Sequence, residues 1–195
     1  MSIAEPLQPD LARELLVRAE QASDNWARRV RNELDAIGLG QSRRADHVNA
    51  KMLTRVLADH GWPGHRLVGP DACRAAWRLA LHADDQPDLQ RTAARLLHRA
   101  AQAGDASIQH WAHLQDRALI NSRIPQEFGT QYRPGPHGVE PYPTRAPDTL
   151  ATRRESVGLP SPAAALEALR ERLSATPNHG TNDDTVLLTV LTGAA

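Results

Sequence analysis

Apolar residues recur along this chain at three- and four-residue steps, which predicts a bundle of amphipathic helices. Leu15, Ala19, Ala22, Trp26, Val30 and Leu34 form the first stripe, on a helix expected over about residues 10–36 and ended by Gly38 and Gly40. Asp24, Asn25, Arg28 and Arg29, in the middle of that helix, read as its solvated face. A second helix is expected over about 42–60, with Asp46, Asn49, Leu53, Val56 and Leu57 on one side. An acid and an amide beside core aliphatics need hydrogen-bond partners. Two roles fit them: Asp46 capping the helix with Asn49 bracing a loop, or both serving a site.

Gly61-Trp62-Pro63-Gly64 reads as a rigid turn, and Gly69-Pro70-Asp71 opens the third helix. Ala72, Ala75, Ala76, Leu79 and Ala83 make one face of it, and Cys73, Trp77, Ala80 and Leu81 nearly fill the other. Only Arg74 and Arg78 break the apolar ring, so this helix should be central. A fourth begins at Asp85 or Gln86 with Pro87 in its first turn, buries Leu89, Ala93, Leu96 and Ala100, and stops at Gly104. A fifth is capped by Asp105 and packs through Ile108, Trp111, Ala112 and Leu119.

After Asn121 the texture changes. Residues 125–131 are short, polar and glycine-containing, and 133–148 are rich in proline, so an extended segment running over the surface is expected. A last helix is expected over about 162–175, and residues 185–192 read as a short strand or an apolar tail. The fold class is therefore mainly α. A loose leader (1–9) precedes one compact multi-helix domain with a long Pro-rich wrapping loop (10–160), and a C-terminal helix and tail follow (161–195).

At 195 residues and 41% hydrophobic, the chain fits one domain with a real core. With aromatics at 4%, Leu, Ala and Val must do most of the packing. The 23 acids balance 23 bases, which argues against a nucleic-acid partner. Lys51 is the only lysine, a bias of the kind that high-GC bacterial coding produces. Cys73 stands alone, excluding an intrachain disulfide or a cysteine zinc cluster. No basic region precedes an apolar run at the N-terminus and no run approaches spanning length, so a cytoplasmic protein without a membrane partner is expected.

His82, at the end of the central helix, is the residue best placed for chemistry. An imidazole near neutral pKa can act as general acid or base. On a continued helix Asp85 would lie on nearly the same side, whereas Asp84 would be about 200° away. Gln90 follows on the next helix, and Asp46, Asn49 and Asp116 sit on the inner sides of others. The same polar set could equally be a hydrogen-bond network tying five helices together. His110 and His113 are three apart on a helix but lack the HExxH arrangement of a zinc site. No metal is expected. With no nucleophile elbow, Walker loop or GxGxxG in the sequence, no cofactor is expected either.

From about Asp24 to Leu159 the order of motifs resembles a bacterial family catalogued as a domain of unknown function, DUF6624. The resemblance rests on Asp46-x-x-Asn49, Gly61-Trp62-Pro63, Val68-Gly69, His82-Ala83-Asp84 with Gln90, Asp116-Arg117, Gln126-x-x-Gly129-Thr130-Gln131, and Arg153-Arg154 before Val157-Gly158-Leu159. The family usually carries Asp-Gln where this chain has Asp24-Asn25, and often Tyr where it has Phe128. The resemblance implies a compact helical domain with polar signature residues, and it adds the loop from Gln126 through Thr130 and Gln131, with Arg117 or one of Arg153 and Arg154, as ligand-holding groups.

The expectation is a small-molecule enzyme using cofactor-free acid–base chemistry, either hydrolysis or elimination/cyclisation. His82 is the acid or base and Asp84 or Asp116 orients it. Asp46, Asn49, Gln90, Arg117, Gln126, Thr130, Gln131 and Arg154 hold a polar or anionic ligand. The alternative is a non-catalytic binding or protein-interaction module in which those side chains are structural.

Overall fold

The computed structural model describes residues 5–30, 32–136 and 138–174. The apolar stripe of the first helix, α1 (Pro9–Val30), buries Ala12, Leu15, Ala19, Ala22 and Trp26. It stops earlier than its periodicity implies. Asn32 adopts the left-handed region at φ 56°, which Asn tolerates better than most residues. Asp35 then caps α2 (Ala36–His60), its carboxylate accepting the Gly38 N–H at 2.7 Å. Gly38 and Gly40 therefore lie inside α2 rather than ending α1. A side-chain cap contributes about 1 kcal/mol, enough to offset much of the propensity cost of a helical glycine.

The turn after α2 contains a short helix, α3 (His65–Val68), before α4 (Pro70–Leu81). Eight side chains of α4 are buried on both of its faces. It is the central helix, packing against α1, α2 and α3, and against α5 (Pro87–Gln102) and α6 (Ile108–Asn121). The short link between α5 and α6 folds them back as a helical hairpin. The expected cap of α6 is corrected: Ser107 caps it through the His110 N–H at 3.3 Å. Asp105 instead accepts the Arg66 N–H at 2.9 Å and so ties α3 to that link.

The segment expected to wrap as an extended loop carries more regular structure than its prolines suggest. Strands β1 (Tyr132–Gly135) and β2 (Gly138–Pro141) pair antiparallel, with Tyr132 opposite Pro141. A single helical turn at Pro147–Thr149 leads into α7 (Leu150–Ser156), and α8 (Pro162–Ser174) follows. Tyr132, Val139 and Leu169 form one small apolar cluster that seats α8 on the hairpin. Ala112, Phe128 and Val157 form a second that seats the loop and α7 on α6.

The main core joins α1, α2 and α4–α6. Each of the four tryptophans lies against an imidazole or a thiol. Trp26 stacks on His82 (ring centroids 4.0 Å apart), Trp77 on His110 (4.1 Å) and Trp111 on His98 (3.9 Å), while Trp62 donates to the Cys73 sulfur at 3.4 Å.

The mainly α class holds, with eight α-helices among the described residues. Among them no helix is long and apolar enough to cross a membrane. The leader is docked where it is described: the Leu7 and Gln8 N–H groups donate to the Arg66 and Leu67 carbonyls. Residues 1–4 and the apolar segment 185–192 lie outside the described residues.

Candidate functional site

Helix α4 ends at Leu81, and His82 occupies its C-cap position, 6% exposed. The imidazole lies flat on the Trp26 indole, 7° from parallel. Its Nε2 is buried and has no hydrogen-bond partner among the described residues. Burial holds the His82 pKa well below the usual imidazole range, and the Arg117 charge pushes the same way against the pull of Asp84. The ring is neutral at pH 7.

Two acid–arginine pairs flank this ring. On one side the Trp26 Nε1 donates to Asp46 at 2.9 Å, and Arg29 donates to the other Asp46 oxygen at 2.6 Å and also to the Ser42 hydroxyl. Burial raises the Asp46 pKa despite those two donors. The Arg78 guanidinium lies 5.2 Å from the Trp26 ring and donates to Ser23.

On the other side Arg117 grips Asp84 in a two-pronged pair, Nε to Oδ1 at 2.8 Å and Nη2 to Oδ2 at 2.7 Å. Asn121 donates both to Asp84 (2.9 Å) and to Gln90 (2.8 Å). The Gln90 amide in turn donates to the Ala80 and Leu81 carbonyls that α4 leaves open at its end. Burial works to raise the Asp84 pKa, but the Arg117 charge and hydrogen bonds outweigh it and hold the carboxyl at about 2. Because α4 stops at Leu81, helical geometry no longer governs the two acids: Asp84 turns inward and Asp85 is exposed.

A third group of sequence-selected residues organises the loop over α6. Asp116 is fully buried and accepts from the Glu127, Phe128 and Thr130 N–H groups at 2.7–2.9 Å and from the Thr130 hydroxyl at 2.9 Å. Burial raises its pKa, against the pull of those donors. Gln126 accepts the Gln131 N–H and donates to the Gln131 and Tyr142 carbonyls. Arg154, from α7, donates to the Phe128, Gly129 and Pro160 carbonyls. Gly129 sits at φ 64°, in the left-handed region that glycine enters without strain. The buried backbone of this loop is thus satisfied largely by side chains, with Gln126 and Gln131 also bonded to the backbone of residues 142–145.

The sequence-selected residues therefore divide. His82, Asp84, Gln90 and Arg117 come together, with Asp46 beyond the Trp26 indole. Asp116 is occupied by loop donors and Asp84 by Arg117 and Asn121, and neither makes a hydrogen bond to His82 among the described residues. Gln131 links the two groups, accepting from Arg117 at 3.3 Å and donating to the Thr130 hydroxyl at 3.0 Å. Asn49 stands apart and accepts from Arg18 at 3.3 Å.

The sequence reading missed Arg29, placed on the solvated face, and Asn121. A signal for Arg29 existed: it lies three residues beyond Trp26, one turn along the same face, and a buried indole N–H calls for a polar neighbour. The Cys73 thiol offers no nucleophile, since burial pushes it up to about 11. Among the described residues no group of three or more His, Cys, Asp or Glu side chains is placed to hold a metal ion.

A family model matches residues 9–173, more of the chain than the motifs alone span. The chain belongs to the DUF6624 family. That family is described as one of unknown function, so membership brings the DUF6624 fold no substrate. No curated protein matches the chain, and no solved structure does.

Proposed function

We propose that this DUF6624 protein is an enzyme acting on a small polar or anionic molecule by cofactor-free acid–base chemistry at His82, either hydrolysis or elimination/cyclisation. One observation carries the reading: a neutral imidazole held flat on Trp26, with a buried ring nitrogen that no described residue uses. Buried polar atoms are seldom left without a partner, and those that are tend to have a functional reason. Nε2 can take a proton from a substrate, and Asp84 would stabilise the imidazolium that forms. The Asp84 and Arg29 side chains beside it are 31% and 20% exposed, and Arg29 offers positive charge to a polar ligand that reaches them. In this reading the protein works in the cytoplasm of a bacterium, in specialised metabolism; the arginine-rich composition fits high-GC bacterial coding and the lone cysteine a reducing compartment.

The test is turnover of a small-molecule extract, followed by mass spectrometry, with the wild-type chain and His82→Gln. Depletion of at least one anion by the wild type, slowed about 100-fold or more in the variant at unchanged folded fraction, is expected. The kcat/KM of that reaction should stay flat as pH falls through 6.5, because the base titrates lower. Equal turnover by both proteins, or none by either, overturns the proposal.

A second reading, a non-catalytic binding or interaction module, is favoured by Asp116, Gln126, Thr130 and Gln131, whose polar atoms are used within the loop. It expects His82→Gln to lower stability and change no turnover.

A further inference from the structure

A cavity of about 550 Å³ opens between α4, α6, the start of β1 and α8, and His82 is not among the residues lining it. That volume lies within the range of small-molecule sites. One wall is aromatic. Trp77 stacks on His110, and His113 meets the Trp77 ring edge-on at 6.2 Å. The facing wall, from Leu159 through Ala168 and Leu169, is apolar, and the small alanines of α8 leave the space open.

The polar groups of the cavity share one sign. Arg74, Arg154 and Arg172 line it, and no Asp or Glu does. Arg154 is 2% exposed, whereas the Arg74 side chain is 56% exposed, so one cation lies deep and another at the rim. Arg154 spends its Nε and Nη1 on loop carbonyls, leaving Nη2 with no partner among the described residues. Two buried polar atoms on this wall, the Trp77 Nε1 and the His113 Nδ1, have no partner among the described residues. Burial, with the charges of Arg74 and Arg154, lowers the His110 and His113 pKa values to about 4. Both rings are neutral at pH 7, and the positive field comes from arginine.

We infer that this cavity is a binding site for an apolar, flat molecule of about bicyclic size that carries one oxyanion. The body lies between the Trp77 wall and α8, and the anion reaches Arg154. The site is separate from the His82 chemistry and does not depend on it. Thr130 and Arg154, grouped by sequence with the His82 ligand set, face this cavity instead.

The probe is 2-naphthoate, titrated into the full chain by calorimetry beside its neutral counterpart, 2-naphthamide. One naphthoate per chain is expected, with a Kd below about 1 mM, and the amide should bind at least about tenfold more weakly because it lacks the charge-assisted bond. Ala168→Phe puts a ring into the cavity and removes no charged group, so it should abolish binding while the melting temperature stays near wild type. If Ala168→Phe unfolds the chain, Arg74→Gln at the exposed rim gives the second reading, a weakening of about threefold or more. Absence of naphthoate binding, equal affinity for the amide, or undiminished binding by both variants overturns the inference.

Discussion

Lowering the pH from 7 to about 4.5 will destabilise the fold by several kcal/mol, with His110 and His113 as the principal cause. Each ring titrates at about 4 in the folded chain, against 6.5 for a free imidazole. The unfolded chain therefore binds more protons throughout that interval, so stability falls as pH falls from 6.5 towards 4. A gap of about 2.5 units, at roughly 1.4 kcal/mol each, amounts to about 3 kcal/mol per histidine when fully expressed. His82, also lowered, adds in the same direction. Asp46 and Asp116 act the other way: burial raises their pKa values, so protonating them as pH falls favours the folded state. Asp84, held at about 2, contributes stability that is present above about pH 4 and is lost only towards pH 2. Urea midpoints at pH 7, 6, 5 and 4.5 measure the net slope. His110→Phe should flatten the curve by up to about one proton, and a variant curve parallel to the wild-type one would mean that the His110 ring is solvated.

Asp116→Asn is the substitution expected to damage the fold most. Its carboxylate meets three backbone N–H groups and a hydroxyl, and all four are donors. An amide offers one oxygen and turns an NH₂ towards groups that also donate. At least one buried N–H loses its acceptor, at about 1–3 kcal/mol each. The expected loss is about 3 kcal/mol in chemical denaturation, with amide exchange accelerated at Glu127, Phe128 and Thr130. A loss under about 1 kcal/mol would mean that the loop has another anchor. Arg154 is the candidate, since it holds the same segment through its carbonyls.

Much of the fold was legible because it depends on periodicity. The α1 stripe, the all-round apolar α4 and the Pro87 start of α5 are local patterns with a local cause. The α1–α2 boundary was not, because Asn32 and Asp35 are polar residues whose capping role competes with an uninterrupted apolar register. The β-hairpin was hidden by prolines at 134 and 141, and strand pairing is a non-local event. The site divides in the same way. His82 and Asp84 could be selected from one helix end, but the choice between Asp84 and Asp85 turned on where α4 stops. Asp116 is buried as its inner face implies, but sequence cannot show that the loop 11 to 14 residues further on brings the amides of 127, 128 and 130 onto its carboxylate. Asn121 acts across helices, on Asp84 and Gln90, and no spacing within one helix encodes that, whereas Arg29 could be suspected only from its place one turn beyond Trp26.

The tryptophan contacts also determine how this protein can be observed. Protonated imidazole drains the excited state of indole far more than the neutral ring, and three of the four indoles here touch a histidine. Trp26 and Trp77 rest on rings that are neutral at pH 7, so the emission of the folded chain should fall as acid protonates His82 and His110. Light thus follows the protonation of these rings before the chain unfolds, with the Trp26–His82 pair reporting directly on the catalytic candidate.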